Sequence, residues 1–258
     1  MNSVPLVYDE FGAGEPLVIL HGLFGSARNW QSYAKDLAAH HRVITVDLRN
    51  HGRSPHAAFH GYNDLAADVI ALLDRLNLAD VILLGHSMGG KAAMTLALTA
   101  PLRVRKLIVV DIAPVAYADE HTATIDALLA LPLSEIKRRQ DADRCLAATV
   151  PDASIRLFLL QNLLVDDTGT RWRLNLPTLR QEMPKLIGAL PIANNHQYLG
   201  QVHFIRGEKS DRVLPAYHPQ IAHYFPTFTL HTVLDAGHWP HAEAPAAFKV
   251  ALDAALNT

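Results

Sequence analysis

The chain has 258 residues, of which 50% are hydrophobic, and a formal net charge of −2. This is enough apolar material for one large domain with a buried core. The nearly balanced charge excludes the basic surface typical of nucleic-acid-binding proteins and the acidic run typical of a disordered tail. Because Cys145 is the single cysteine, an internal disulfide is excluded as well.

The N-terminal segment lacks the basic stretch followed by an apolar stretch that marks a secretory signal peptide. No apolar run approaches the ~20 residues that a membrane-spanning helix needs. A lone cysteine also suits a reducing compartment. We therefore expect a cytoplasmic protein, a monomer or small homo-oligomer, that acts on a small molecule and has neither nucleic acid nor a membrane as its partner.

Short apolar runs alternate with longer amphipathic segments through most of the chain. The apolar runs predict strands at residues 16–20, 42–46, 81–85, 106–110, 202–206 and 229–234. The amphipathic segments predict helices at residues 62–77, 87–100 and 245–256. Strands that are apolar along their whole length belong to sheets covered on both faces. The alternation therefore predicts an α/β fold with a mostly parallel, doubly wound sheet.

The alternation stops after about residue 115, where the sequence shows helical patterns and no convincing strand until about residue 192. We interpret residues 116–192 as a helical cap, inserted after the strand that ends at Asp111. Residues 1–115 and 193–258 would then form the core domain. We expect the cap to cover a substrate pocket at the edge of the sheet.

The segment GHSMG, residues 85–89, carries a candidate nucleophile. Ser87 directly follows an apolar strand and opens a helical pattern, which is the strand–turn–helix setting of a nucleophile elbow. The flanking glycines would let the strand and the helix approach closely, so that the serine hydroxyl stands clear at the edge of the sheet. The alternative is a serine that only caps a helix in an ordinary turn.

A serine hydroxyl needs a base to take its proton, and His238 is the candidate among 15 histidines. It lies in a glycine-containing loop between the last predicted strand and the last helix, with His241 as its nearest rival. An oxyanion hole needs backbone N–H donors, which we expect from Leu23, after the first buried strand, and from Met88. No spacing of histidines and carboxylates predicts a metal site.

Four stretches in this order, GEPLVILHGLFGS, VITVDLRNHGRS, LLGHSMGGKAA and AGHWPHAEAP, resemble signature segments of the α/β-hydrolase superfamily. Together with VVDIAPV and WRLNLP, they resemble the YbfF-like esterases more narrowly. The resemblance spans nearly the whole chain. It implies the α/β-hydrolase fold, a helical cap, a serine hydrolase of acyl esters or thioesters, and no metal or organic cofactor.

The acid of a Ser-His-acid triad has two candidates. In most of the superfamily the acid stands three residues after a glycine that follows a late strand, but here that position is Ser210, and Asp211 comes one residue later. Asp111 instead ends the strand that follows the nucleophile helix. The resemblance to the YbfF-like esterases implies an acid on that earlier strand. We favour Asp111, because its strand should neighbour the nucleophile strand, and keep Asp211 as the alternative.

The triad predicts a carboxylic-ester hydrolase that forms an acyl-serine intermediate with small to medium acyl esters or thioesters. We expect the substrate to contact Phe24, Phe158, Trp172 and Trp239, and the apolar residues of the cap favour an apolar acyl group. Other reactions of serine α/β hydrolases stay open, namely hydrolysis of carbon–carbon bonds or acyl-CoA thioesters, and perhydrolysis. A ligand receptor of the same fold, without turnover, is the alternative from a different class.

Overall fold

A computed structural model of the protein describes residues 3–257. Within these residues the strands are β1 (Val7–Phe11), β2 (Glu15–Leu20), β3 (His41–Asp47), β4 (Val81–His86), β5 (Val104–Val110), β6 (Leu163–Asp166), β7 (Gly169–Trp172), β8 (Gln201–Gly207) and β9 (Phe228–Val233). The helices are α1 (Gln31–Leu37), α2 (Tyr62–Arg75), α3 (Met88–Thr99), α4 (Thr122–Leu129), α5 (Arg139–Leu146), α6 (Ala153–Leu160), α7 (Leu176–Ile187), α8 (His218–Tyr224), α9 (Pro240–Glu243) and α10 (Pro245–Asn257). Among the described residues, no helix is both long enough and apolar enough to cross a membrane.

The main sheet of the described chain has seven strands in the order β1-β3-β2-β4-β5-β8-β9. Every neighbouring pair is parallel except β1 and β3, which are antiparallel. Each strand that the sequence predicted lies in this sheet. The predicted α/β fold with a mostly parallel, doubly wound sheet is therefore confirmed.

The edge strand β1 was absent from the sequence prediction. Its residues are half-buried or exposed, because only β3 lies beside it and one side of the strand faces solvent. A short edge strand of this kind lacks the continuous apolar run by which the central strands were recognised.

The sheet is covered on both faces because successive side chains of a strand point to opposite sides. Leu83 and Val109 pack into the apolar cluster that α2 and α3 complete. Leu84 and Ile108 pack into a second cluster, completed by α1 and α10. Both faces of β4 and β5 are therefore apolar, which explains the uninterrupted hydrophobic runs in the sequence.

The connection between β5 and β8 differs from its prediction in one respect. It contains α4 to α7, but also an antiparallel hairpin of β6 and β7, so the expectation of helices alone was wrong. Each hairpin strand has four residues, which is too short for a periodic pattern to stand out. The signal in the sequence was Gly169, because glycine is typical of tight turns, and its φ here is 112°. The extent of the cap, residues 116–192, stays a prediction.

A buried ion pair joins the loop after β3 to α2. The side chain of Arg49 is 2% exposed and that of Asp68 is 0% exposed. Their contacts are 2.5 Å from Nε to Oδ2 and 2.7 Å from Nη2 to Oδ1. Asp68 also accepts a hydrogen bond from the N–H of Val4 at 2.7 Å. The pair therefore holds the N-terminal segment, the β3 loop and α2 together.

We expect Asp68→Asn to lower the free energy of unfolding by about 3 kcal/mol, because the buried guanidinium of Arg49 loses its nearest charged partner and keeps Asp64 at 3.8 Å. Urea denaturation followed by circular dichroism measures the loss. Glu10→Gln is the control, since Glu10 pairs with Arg42 on the surface at 2.9 Å, and exposed pairs contribute only about 0.2–1 kcal/mol. Equal losses in the two variants would contradict the prediction.

Candidate active site

Ser87 occupies a sharp turn between β4 and α3. Its φ of 51° and ψ of −118° lie in a region that residues other than glycine rarely adopt. The turn is held by two backbone hydrogen bonds, from the Ser87 N–H to the Val110 carbonyl at 3.0 Å and from the Lys91 N–H to the Ser87 carbonyl at 3.1 Å. The strained serine is thus fixed to β5 on one side and to its own helix on the other.

Two glycines let the start of α3 lie close to the ends of β4 and β2. A Cβ atom on Gly85 would lie 2.2 Å from the carbonyl oxygen of Gly89. A Cβ atom on Gly89 would lie 2.5 Å from the carbonyl oxygens of Leu20 and His21. No side chain fits at such distances, so the glycines of the GHSMG motif are required by close approach of backbone to backbone.

Ser87, His238 and Asp111 form one line of hydrogen bonds at the carboxyl edge of the sheet. The Ser87 hydroxyl lies 3.0 Å from Nε2 of His238, and Nδ1 of His238 lies 2.9 Å from Oδ2 of Asp111. A carboxylate accepts, so Nδ1 carries the proton and Nε2 is free to accept from the serine. This is the arrangement in which an imidazole acts as a general base on a serine.

The carboxylate of Asp111 is fully buried, directly after the end of β5, and such a charge requires hydrogen-bond donors. Besides His238, Oδ1 accepts from the N–H of Gly207 at 2.9 Å, and Oδ2 accepts from the hydroxyl of Ser210. The sequence did not predict the donation from Ser210. The position that carries the acid in most of the superfamily therefore supports Asp111 with a hydroxyl group instead.

Asp211, the alternative acid, lies away from this line. Its side chain is 67% exposed, and Oδ1 pairs with Nε of Arg212 at 3.1 Å. The residue that follows Ser210 in the turn thus faces solvent, whereas Ser210 faces Asp111. The geometry places Asp111 and not Asp211 beside His238.

The loop after β2, residues 21–26, is held in shape by His21. Because a carbonyl only accepts, Nδ1 of His21 donates to the Gly22 carbonyl at 2.8 Å, and Nε2 accepts from the N–H of Leu48 at 3.0 Å. Burial lowers the pKa of His21, which keeps the ring neutral and able to play both parts. Leu23 follows this fixed turn, and Met88 supplies the first N–H of α3, a group that has no partner within its helix.

His51 fixes the next residue of the same loop. Its Nε2 accepts from the N–H of Phe24 at 3.3 Å, while Nδ1 donates to the Arg49 carbonyl at 3.0 Å. Burial lowers the pKa of His51 well below its ordinary value. Phe24 has a φ of 62°, so the loop is held in a backbone conformation that phenylalanine would not keep on its own.

His86 is a supporting residue that the sequence did not reveal. Its Nε2 donates to the backbone carbonyl of His238 at 2.9 Å, and its ring centroid lies 5.0 Å from that of His238. Burial lowers the pKa of His86 well below its ordinary value, so it donates as a neutral group.

His241, the rival base, stacks on Trp30 at 4.6 Å, and burial lowers its pKa to about 3.

Two openings adjoin the triad. A small cavity of about 40 Å³ lies beside Ser87, with walls that include Leu23, Tyr117 and His238. A groove of about 870 Å³ also begins at Leu23 and is lined by Phe158 of α6 and by Trp239, whose ring centroids are 6.4 Å apart. Two of the expected substrate contacts, Phe158 and Trp239, therefore line a groove that shares Leu23 with the cavity beside Ser87.

The other two expected contacts, Phe24 and Trp172, are placed elsewhere. Phe24 is 7% exposed and packs edge-on against His121, with ring centroids 6.2 Å apart. Trp172 ends β7, and its indole N–H donates to the carbonyl of Leu128 at 3.3 Å. The β6–β7 hairpin turns Trp172 toward α4, and the loop after β2 turns Phe24 toward His121, the residue before α4. Both side chains therefore pack against other parts of the chain.

Comparison with known proteins identifies the family of the chain. A family model described as the alpha/beta hydrolase family matches residues 17–251. The chain is 40% identical over 267 residues to the sn-1-specific diacylglycerol lipase ABHD11 of Mus musculus, covering 99% of this chain and 86% of that one. It is 36% identical over 244 residues to esterase YbfF of Escherichia coli strain K12, covering 94% and 93%. A solved esterase from a marine microorganism superposes with a TM-score of 0.93 at 36% identity, covering 97% and 99%.

We expect Ser210→Ala to slow the reaction of Ser87 with a fluorophosphonate probe. Asp111 would lose one charged hydrogen bond, and a loss of about 1.5 kcal/mol corresponds to roughly a tenfold lower rate. The rate constant of labelling, read on a gel at several probe concentrations, measures the effect. Ser134→Ala, on the exposed surface, is the control, and an unchanged rate in Ser210→Ala would show that the hydroxyl does not support the acid.

Proposed function

The chain belongs to the alpha/beta hydrolase family and is a carboxylic-ester hydrolase, and we propose that Ser87, His238 and Asp111 are its catalytic triad. The observation that carries the proposal is the continuous line of hydrogen bonds from the serine hydroxyl through the imidazole to the buried carboxylate. Each distance is within the range over which a proton can be transferred or held.

In the first half of the reaction, Ser87 Oγ attacks the ester carbonyl carbon while Nε2 of His238 takes the hydroxyl proton. The carbonyl oxygen becomes an oxyanion, which the N–H groups of Leu23 and Met88 stabilise. As the bond to the leaving group breaks, His238 returns the proton to the departing alcohol or thiol. The acyl group remains as an ester of Ser87.

In the second half, water attacks the acyl-serine and gives one proton to Nε2 of His238. The same two N–H groups hold the second oxyanion, and collapse of this intermediate returns the proton to Oγ of Ser87 and releases the acid. Asp111 keeps the proton of His238 on Nδ1 and stabilises the imidazolium ion that each half-reaction forms. The donors from Gly207 and Ser210 hold the carboxylate in place.

The openings beside the triad fit small to medium acyl esters or thioesters. We propose that residues 116–192 form a cap, since α6 of this segment brings Phe158 to the groove that starts at Leu23. Aromatic walls favour an apolar part of the substrate there. The relative from Mus musculus is named for a diacylglycerol, a substrate whose apolar part would suit such a groove.

We expect Ser87→Ala to lower kcat for p-nitrophenyl butyrate by several orders of magnitude, because the covalent route through the acyl-serine is lost. A fluorophosphonate probe should label the wild-type chain and leave the variant unlabelled, with circular dichroism showing that both are folded. Equal labelling of the two proteins would remove Ser87 from the mechanism. A wild-type chain that binds esters but releases no product would instead be a receptor.

The choice of acid is tested by comparing Asp111→Asn with Asp211→Asn. An amide at Asp111 favours the wrong tautomer of His238, a change that costs about 10⁴ in kcat in a well-known triad. Asp211 pairs with Arg212 on the surface, so its variant should retain nearly full activity. The measurement is kcat of the two variants at matched folded fractions, checked by circular dichroism. If Asp211→Asn lost activity and Asp111→Asn kept it, Asp211 would be the acid.

A further inference from the structure

Lys91 is a buried cation on the nucleophile helix. It lies one turn after Ser87 in α3 and is 1% exposed. Its Nζ donates to the backbone carbonyls of Val115 at 2.7 Å and Gly188 at 2.6 Å, and it lies 4.8 Å from the ring centroid of Tyr117. Among the ion pairs of residues 3–257, none includes Lys91.

The two carbonyls that Lys91 holds lie where the chain leaves for the proposed cap and where it returns. Val115 directly precedes residues 116–192, and Gly188 directly follows α7. The two chain segments are also joined to each other, because the N–H of Tyr117 donates to the carbonyl of Ile187 at 2.8 Å. Lys91 therefore ties both ends of the cap to the helix that begins beside the nucleophile.

We call residues 115–117 and 186–188, where the chain enters and leaves the proposed cap, the hinge. The hinge forms part of the wall of the small cavity beside Ser87. Lys91, Tyr117 and Ile187 line it together with Tyr62, whose hydroxyl donates to the carbonyl of Leu186 at 2.6 Å. The distance from the hinge to α3 therefore sets the space available next to the serine hydroxyl. A hinge that moved outward would widen this cavity.

We propose that Lys91 is a positioning residue, which holds both ends of the cap against the nucleophile helix and so sets the size of the acyl cavity. The inference rests on the proposed function, because it takes Ser87 as the nucleophile, and it places the acyl group in the small cavity beside that residue. Lys91 acts through the hinge, since its bonds go to the backbone of Val115 and Gly188 and not to the triad.

The cost of keeping a cation here argues for a specific use. Burial lowers the pKa of Lys91 to about 7, which shows that the site disfavours the charge. A methionine has similar length and would fill the same space without any desolvation cost. What methionine lacks is a donor, so the half-buried carbonyls of Val115 and Gly188 would lose their partner.

The test compares Lys91→Met with Lys106→Met. Lys106 is 6% exposed, and its Nζ also donates to two backbone carbonyls, of Ala255 at 3.0 Å and Leu256 at 2.7 Å. Those carbonyls lie at the end of α10, outside the walls of the active-site cavity. The two variants therefore lose the same kind of interaction at different places. Both are assayed with p-nitrophenyl esters from acetate to octanoate.

We expect Lys91→Met to raise KM for the acetate ester by about tenfold, because a short acyl group packs poorly in a widened cavity, with a smaller change in kcat. Its preference should shift toward the longer acyl chains, because a displaced hinge widens the cavity. Lys106→Met should keep the wild-type KM and chain-length profile even where its stability falls. A wild-type profile in Lys91→Met, or the same shift in both variants, would overturn the proposal.

If Lys91→Met does not fold, Tyr62→Phe tests the hinge with a smaller change, since it removes only the hydroxyl that holds Leu186. A shift toward longer chains supports control of the cavity by the hinge, and a wild-type profile overturns it. Probe labelling of Ser87 separates the two proposals. Absence of labelling in the wild-type chain would refute the triad, whereas labelling with an unchanged profile would refute only the role of Lys91.

Discussion

The fully buried carboxylate of Asp111 is the constraint on which the rest of the site depends. An unpartnered charge at the end of a central strand would be costly, and its donors come from the strands that follow in the sheet. The N–H of Gly207 and the hydroxyl of Ser210 reach it from the end of β8, and the imidazole of His238 reaches it from the loop after β9. The order β5-β8-β9 thus stabilises the charge and brings the three residues of the proposed triad together.

Neutral imidazoles hold the backbone around this charge. Burial lowers the pKa of His21, His51 and His86, so each ring can donate from one nitrogen and accept at the other. His21 and His51 fix the loop after β2, while His86 fixes the backbone of His238. Such groups position the loops without adding a second cation beside the pair of Asp111 and His238.

The proposed cap is connected to the same part of the sheet. The chain leaves β5 directly after the acid and re-enters the sheet through β8, whose last residue, Gly207, donates to that acid. Between these points, the carbonyls of Val115 and Gly188 meet at Lys91 on the nucleophile helix. Short connections therefore join the proposed cap to Asp111 and Ser87, and a shift of the hinge would change the cavity beside Ser87.

Hydrophobic periodicity and turn residues are local properties, and from them the central strands, the turn at Ser87 and the loop of His238 could be predicted. The same patterns left the acid open between Asp111 and Asp211, and they missed the β6–β7 hairpin, whose strands are too short to show a period. The carboxylate that meets His238 follows from the folded structure alone, since that contact joins residues 127 positions apart. Such a contact depends on strand order and side-chain direction, and no local pattern encodes either.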